Sequence, residues 1–224
     1  MKRSAVNQLI EEALLACREH HFGLPDFAYW SPAGWATRGH DYDEIRDCML
    51  GWDVTDFGSG DYLNVGLMLF TLRNGNMQLP RYTKRYCQKL LLVGEGQHTP
   101  YHFHFDKTED IICQAGADLL VQVYTADAEQ GLSDAPVPVM TDGWWHEVPA
   151  GTTLRLTPGN SITLPPFQYH QFWAEGGRSL TVEVSAVNDD RTDNRFHDQV
   201  DRLPVPEPDV DPTHLLCTEY PPAP

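Results

Sequence analysis

The sequence contains no apolar run approaching the ~20 residues that a membrane-crossing helix needs, and no membrane span is expected. It is also poor in positive charge: 16 Lys+Arg stand against 32 Asp+Glu, a formal net charge of −16. That balance excludes a sequence-independent grip on nucleic acid or on an anionic membrane, since both require surplus cations. A neutral small molecule or a cation is the more natural guest. Cysteine is sparse, odd in number and without CxxC spacing: Cys17, Cys48, Cys87, Cys113 and Cys217 are scattered along the chain. Reduced thiols in a cytoplasmic protein are expected. No secretory signal is expected either, because Asn7, Gln8, Glu11 and Glu12 interrupt what would have to be an apolar core behind Lys2 and Arg3. No internal repeat or long low-complexity tract is present.

What remains is the composition of a globular chain, and 224 residues suit one generous domain. Val6, Ile10, Leu14 and Cys17, flanked by Leu9 and Ala13, recur at three- and four-residue steps and predict an amphipathic helix that ends where Gly23 and Pro25 break the pattern. A second, weaker helix is expected over "YDEIRDCML", making residues 1–58 a helical extension. From residue 60 to 187 the chain reads as short β-type runs, among them "LNVGLMLFTLR", "QKLLLVGE", "DIICQA", "DLLVQVYTA", "QYHQFWAE" and "SLTVEVSAV". Turn residues such as Asn74-Gly75, Pro158-Gly159 and Gly176-Gly177 separate many of them. Many strands with few intervening helices predict an all-β core, an antiparallel barrel or sandwich. Residues 188–224 collect proline in "LPVPEPDVDP" and "YPPAP" and predict an extended tail lying across the barrel or a neighbouring subunit.

Within this pattern "PYHFHFDKTED" stands out. In a strand, His102 and His104 share one face while Tyr101, Phe103 and Phe105 occupy the other. That is the pattern of a half-buried strand with imidazoles on its wet face, or of two metal ligands. Gly96 precedes His102 by five intervening residues, four separate His104 from Glu109, and six separate Glu109 from Gly116. This arrangement resembles the first motif of the cupin superfamily of jelly-roll β-barrels. The resemblance implies that His102, His104 and Glu109 hold one metal ion inside such a barrel. The second cupin motif is matched by Gly159, Pro165 and His170, with Phe167 where the family usually has glycine and Ala174 where it often has asparagine. His170 is thereby implied as the fourth ligand.

Three imidazoles and a carboxylate, without thiolates, suit a divalent ion with open coordination positions. The family resemblance favours Mn2+, with Fe, Co, Ni or Zn as alternatives. His20, His21, His40, His98, His146, His197 and His214 lack the ligand spacing. Trp144, Trp145 and Trp173 are expected to serve packing instead of sugar stacking.

The stretches "YCQKLLLVGEGQHTPYHFHFDKTEDIICQAGADLLVQVY" and "EVSAVNDDRTDNRF" resemble the D-lyxose isomerases, over most of the chain. The resemblance implies an aldose–ketose isomerase acting on D-lyxose and D-xylulose, with D-mannose and D-fructose as related substrates, through a cis-enediol. Glu183 is the candidate base: in "SLTVEVS" it shares a face with Thr181 and Ser185, opposite Leu180, Val182 and Val184, although an outward, solvated glutamate fits the same alternation. Lys107 is a candidate to polarise a sugar oxygen or move a proton, and equally a surface turn lysine. The resemblance adds Lys89 and Gln97 as contacts for sugar hydroxyls, Asp193 and Arg195 as residues closing the pocket, and a homodimer as the assembly. Two other readings remain at this level: an iron-dependent cupin dioxygenase, and a sugar-binding cupin without catalysis.

Overall fold

In the computed structural model, which describes residues 1–224, the first helix α1 spans Arg3–Glu19. Its apolar stripe Val6, Ile10, Ala13, Leu14 and Cys17 is buried, as the three- and four-residue spacing requires. Two further helices are short, α2 at Pro32–Trp35 and α3 at Asp43–Asp47. The second predicted helix therefore shrinks to its acidic centre. The nominal helical extension also contains a strand, β1, at Gly51–Thr55, so the helical character ends earlier than residue 58.

The remaining strands are β2 (Leu67–Arg73), β3 (Tyr86–Val93), β4 (His102–His104), β5 (Glu109–Thr125), β6 (Val137–Thr141), β7 (Trp144–Val148), β8 (Thr153–Leu156), β9 (Ser161–Leu164), β10 (Gln168–Ala186) and β11 (Asn194–Phe196). All named strand pairs are antiparallel. Hydrogen bonding runs β1-β2-β3-β10-β5-β9-β6-β7, with β8 joined to β5 and with β4 and β11 attached beside β10. Two pairs of runs that read as separate strands are continuous. "DIICQA" and "DLLVQVYTA" form β5, and "QYHQFWAE" and "SLTVEVSAV" form β10. The glycines between them act as bends within a strand. At Gly116 φ is +83°, and a Cβ there would sit 2.5 Å from the Arg178 carbonyl oxygen. The β5–β10 register slips at the same level, between Glu175 and Ser179.

Because β5 and β10 bend, each serves both halves of the barrel. Leu119, Val121 and Phe172 beyond the bend meet Leu69, Leu91 and Ile111 from the near half in one interior core. A second core lies outside, where α1 covers β1, β2 and β3 through Trp52, Met68, Phe70, Leu90 and Leu92. Successive residues of β2 and β3 thus alternate between two buried compartments. This explains why "LMLF" and "LLLV" are continuously apolar. Each fully buried side chain of this kind contributes roughly 1.5–3 kcal/mol.

The tail crosses the helical layer on its own chain. Glu207 N donates to Met1 O and Arg3 N donates to Glu207 O, Ser4 donates to Asp209, and Cys217 N donates to Trp52 O at 2.8 Å. Tyr220 Oη donates to Leu50 O at 2.8 Å. Trp144 and Trp145, expected as packing residues, instead lie exposed on the edge strand β7, Trp144 stacked on His146.

Candidate active site

Strand β4 has only three residues, yet it aims two imidazoles inward because its period is two. β5 begins at Glu109 and β10 brings His170 opposite His102 in register. Potential ligand atoms of His102, His104, Glu109 and His170 all lie within 4.8 Å of one another. Each ring is oriented through Nδ1, which faces a backbone carbonyl: Pro100 O for His102 at 2.9 Å, Asp193 O for His104 at 2.9 Å and Gln168 O for His170 at 3.1 Å. A carbonyl can only accept, so Nδ1 carries the proton and each Nε2 presents a lone pair to the centre.

The centre is therefore lined by acceptors. His104 Nε2 and His170 Nε2 are buried with no hydrogen-bond partner. They stand 3.4 and 3.0 Å from oxygens of Glu109, which also cannot donate when ionised. Converging lone pairs with no donor between them call for a cation, and the nitrogen and oxygen donor set fits a divalent metal. Burial, reinforced by the neighbouring His170 and His104, holds His102 well below the usual imidazole range, in the neutral form that a ligand needs.

Beside this quartet lies a chain of charges. Lys107 Nζ is 2.7 Å from Glu109 Oε2 and 2.9 Å from Glu183 Oε1. Lys89 Nζ reaches Glu183 Oε2 at 3.2 Å, and Ser185 Oγ donates to Glu183 Oε1 at 3.0 Å. Thr181, Glu183 and Ser185 point inward and are buried, while Val184 is exposed. Burial would raise the Glu183 carboxyl, but Lys107 and then Lys89 overcome it and hold it below the ordinary glutamate value. Glu109 is likewise depressed, burial being outweighed by Lys107. Burial disfavours the Lys107 ammonium, yet Glu109 and Glu183 keep its pKa above the ordinary lysine value.

Lys89, His102, His104, Lys107, Glu109 and Glu183 line a small cavity of about 40 Å³, with Phe57, Phe172 and Phe196 supplying an apolar side. A larger cleft of about 1010 Å³ adjoins it, and the two share Leu69, Lys107 and Asp190. The cleft is lined by Asp47, Asp53, Asp106, Asp189, Asp190 and Asp193 against Arg46, Arg85, Lys107 and Arg191.

Not every residue singled out in the sequence reaches the cavity. Lys89, Lys107 and Glu183 do, together with His102, His104 and Glu109, while His170 stands behind Glu109, its Nε2 3.0 Å from the carboxylate. Gln97 does not: its amide accepts from Gly94 N at 3.0 Å and donates to Tyr62 O, bracing a loop. Arg195 faces Gln130 and the Phe196 carbonyl, away from the cavity. Asp193 braces the ligand loop, accepting from Asp106 N at 2.8 Å and Lys107 N at 3.1 Å.

Four polar cavity residues escaped the sequence reading: Thr99, Asp190, Asn194 and Arg202. Arg202 pairs with Asp53 at 2.8 Å and Asp190 at 3.0 Å. Against the effect of burial, Arg202 holds the Asp190 carboxyl far below its usual range. For the last three the only available signal was the cluster of acids and arginines after the last long strand.

The family model described as D-lyxose isomerase matches residues 1–220. A D-lyxose/D-mannose isomerase of Serratia proteamaculans is 45% identical over 223 residues, covering 98% of each chain. The protein of the same name from Escherichia coli O157:H7 is 43% identical over 223 residues, again covering 98% of each. Among solved structures, an L-ribose isomerase of Cellulomonas parahominis superposes with a TM-score of 0.58 at 18% identity, over 92% of this chain and 98% of that one. The fold is thus shared with that protein at low sequence identity.

Proposed function

The chain belongs to the D-lyxose isomerase family, and from that footing we propose that this aldose–ketose isomerase interconverts D-lyxose and D-xylulose, and D-mannose and D-fructose, with Glu183 as the base. The observation that carries the reading is the juxtaposition, through Lys107, of an ionised Glu183 with the converging acceptors of His102, His104, Glu109 and His170 inside the barrel.

Isomerisation moves one proton between C1 and C2 and another between O1 and O2, with an enediol between the two steps. Glu183 takes the proton from C2 of the aldose and returns it to C1 on the same face. Its two ammonium neighbours keep it ionised and ready to accept, at the expense of basicity. Lys107, held protonated, places its positive charge beside the oxygen on which negative charge develops. A divalent cation on the quartet, for which we favour manganese, would supply the remaining charge stabilisation and orient the sugar oxygens. Phe57, Phe172 and Phe196 exclude water from the cavity. The acidic cleft outside it favours an uncharged polyol over a sugar phosphate.

The five cysteines, all buried and free, are consistent with a cytoplasmic setting, and a homodimer is the assembly we favour from the resemblance. No helix is long and apolar enough to cross a membrane.

The test is to incubate manganese-loaded protein with D-lyxose and measure ketose. Glu183→Gln should abolish turnover with metal content near normal, whereas His104→Ala should lower both. Absence of turnover on every pentose and hexose aldose would refute the proposal.

A further inference from the structure

The one oxygen in the site that accepts from both lysines is Asn188 Oδ1, at 2.7 Å from Lys89 Nζ and 3.3 Å from Lys107 Nζ. A lysine ammonium has three N–H groups, and those of Lys107 are taken up by Glu109, Glu183 and Asn188. Its direction is therefore fixed on all three sides. Lys89 divides its bonds between Glu183 and Asn188. Without Asn188, each lysine would hold an unsatisfied N–H in a buried place, and each would shift to recover an acceptor, dragging Glu183 with it.

Asn188 is itself held from outside. It lies past the end of β10 at Ala186, where no backbone–backbone hydrogen bond reaches it. The side chain of Asn74 replaces that missing ladder. Asn188 N donates to Asn74 Oδ1 at 3.0 Å, and Asn74 Nδ2 donates to Asn188 O at 3.0 Å. Asn74 is 5% exposed, and its amide is anchored in turn by Gly75 N and Cys48 O. The Asn74-Gly75 pair, which reads in the sequence as a plain turn, thus grips a loop behind the candidate base.

We propose that Asn188 is a positioning residue of the isomerase, orienting Lys89 and Lys107 on Glu183, with Asn74 fixing its backbone. The inference rests on the reading of Glu183 as the base. It acts on the chemical step and leaves sugar binding alone, so it separates kcat from KM.

The experiment compares Asn188→Leu, similar in size but without an acceptor, with Asn188→Asp, which keeps one, in the manganese-loaded full chain assayed on D-lyxose. Asn188→Leu should lower kcat roughly ten- to a hundredfold, as expected for misplacing a reacting group by about an ångström. KM should stay within about twofold and metal content should stay at the wild-type level. Asn188→Asp should recover most of kcat, and Asn74→Ala should show a loss of the same kind. If Asn188→Leu does not fold, Asn188→Ala takes its place. Wild-type kcat in Asn188→Leu, a rise in KM alone, or an Asn188→Asp variant no better than Asn188→Leu would each overturn the inference. With an active wild type and a dead Glu183→Gln control, such a result sinks this inference only; an inactive wild type sinks the reading beneath it.

Discussion

Replacing Lys107 by methionine should destabilise the metal-free protein far more than the metal-loaded one. The Lys107 side chain is 2% exposed, and its partners Glu109 and Glu183 are 3% and 6% exposed, so all three charges are out of water. At separations of 2.7 and 2.9 Å each attraction amounts to about 6 kcal/mol at an effective dielectric constant near 20, before desolvation is subtracted. Methionine keeps the apolar stem and removes the charge, leaving two buried carboxylates. Glu183 retains Lys89 at 3.2 Å, but no other full cation stands at Glu109. Breaking a buried pair from one side costs about 3–5 kcal/mol. For a chain of this length that corresponds to a fall in Tm of roughly 6–20 °C. A divalent ion on the quartet would meet the Glu109 charge, so loading with manganese should remove about half of the penalty. The measurement is urea or thermal unfolding of wild type and Lys107→Met, each with chelator and with manganese. Equal penalties in the two conditions would refute the account, as would a penalty below about 1 kcal/mol in chelator.

Ile10→Ala, in the core beneath α1, should cost about 2–5 kcal/mol in chemical unfolding while leaving kcat on D-lyxose at the wild-type value, since Ile10 belongs to the outer core and lines neither the cavity nor the cleft; a selective loss of kcat would contradict the separation of the two cores. Asp190, held low by Arg202, contributes stability that is complete above its unfolded pKa and is lost as pH falls through its folded one. Unfolding free energy should therefore decline from about pH 5 downward, and Asp190→Asn should flatten that decline; an unchanged acid slope in the variant would count against the pairing.

The quartet was legible because its residues obey rules of strand geometry. His102 and His104 share a face by alternation, and Glu109 and His170 arrive at the spacings of the resembled motifs. Alternation also turned Glu183 inward with Thr181 and Ser185. The departure at position 167 has a backbone meaning: Phe167 has φ of +60°, a conformation that glycine adopts without strain, and its ring packs on Phe103 and Phe105. Loops were less readable. Asn188, Asp190 and Arg202 follow no period, so nothing local told which way they point, and Gln97 and Arg195 face away from the cavity for the same reason. Strand β1 was hidden inside a segment read as helical. The bends in β5 and β10 were misread because glycine signals a chain reversal and a kink within a strand alike.

Strand β3 is a party wall. Lys89 and Leu91 face the chemistry while Leu90 and Leu92 face the helical layer, on one stretch of backbone with no slack between them. A change of side-chain volume at Leu90 or Leu92, on this same strand, that moves the backbone would be felt by Lys89 as a displacement of its ammonium. The rate could then be tuned by evolution or by design from a compartment the sugar never enters.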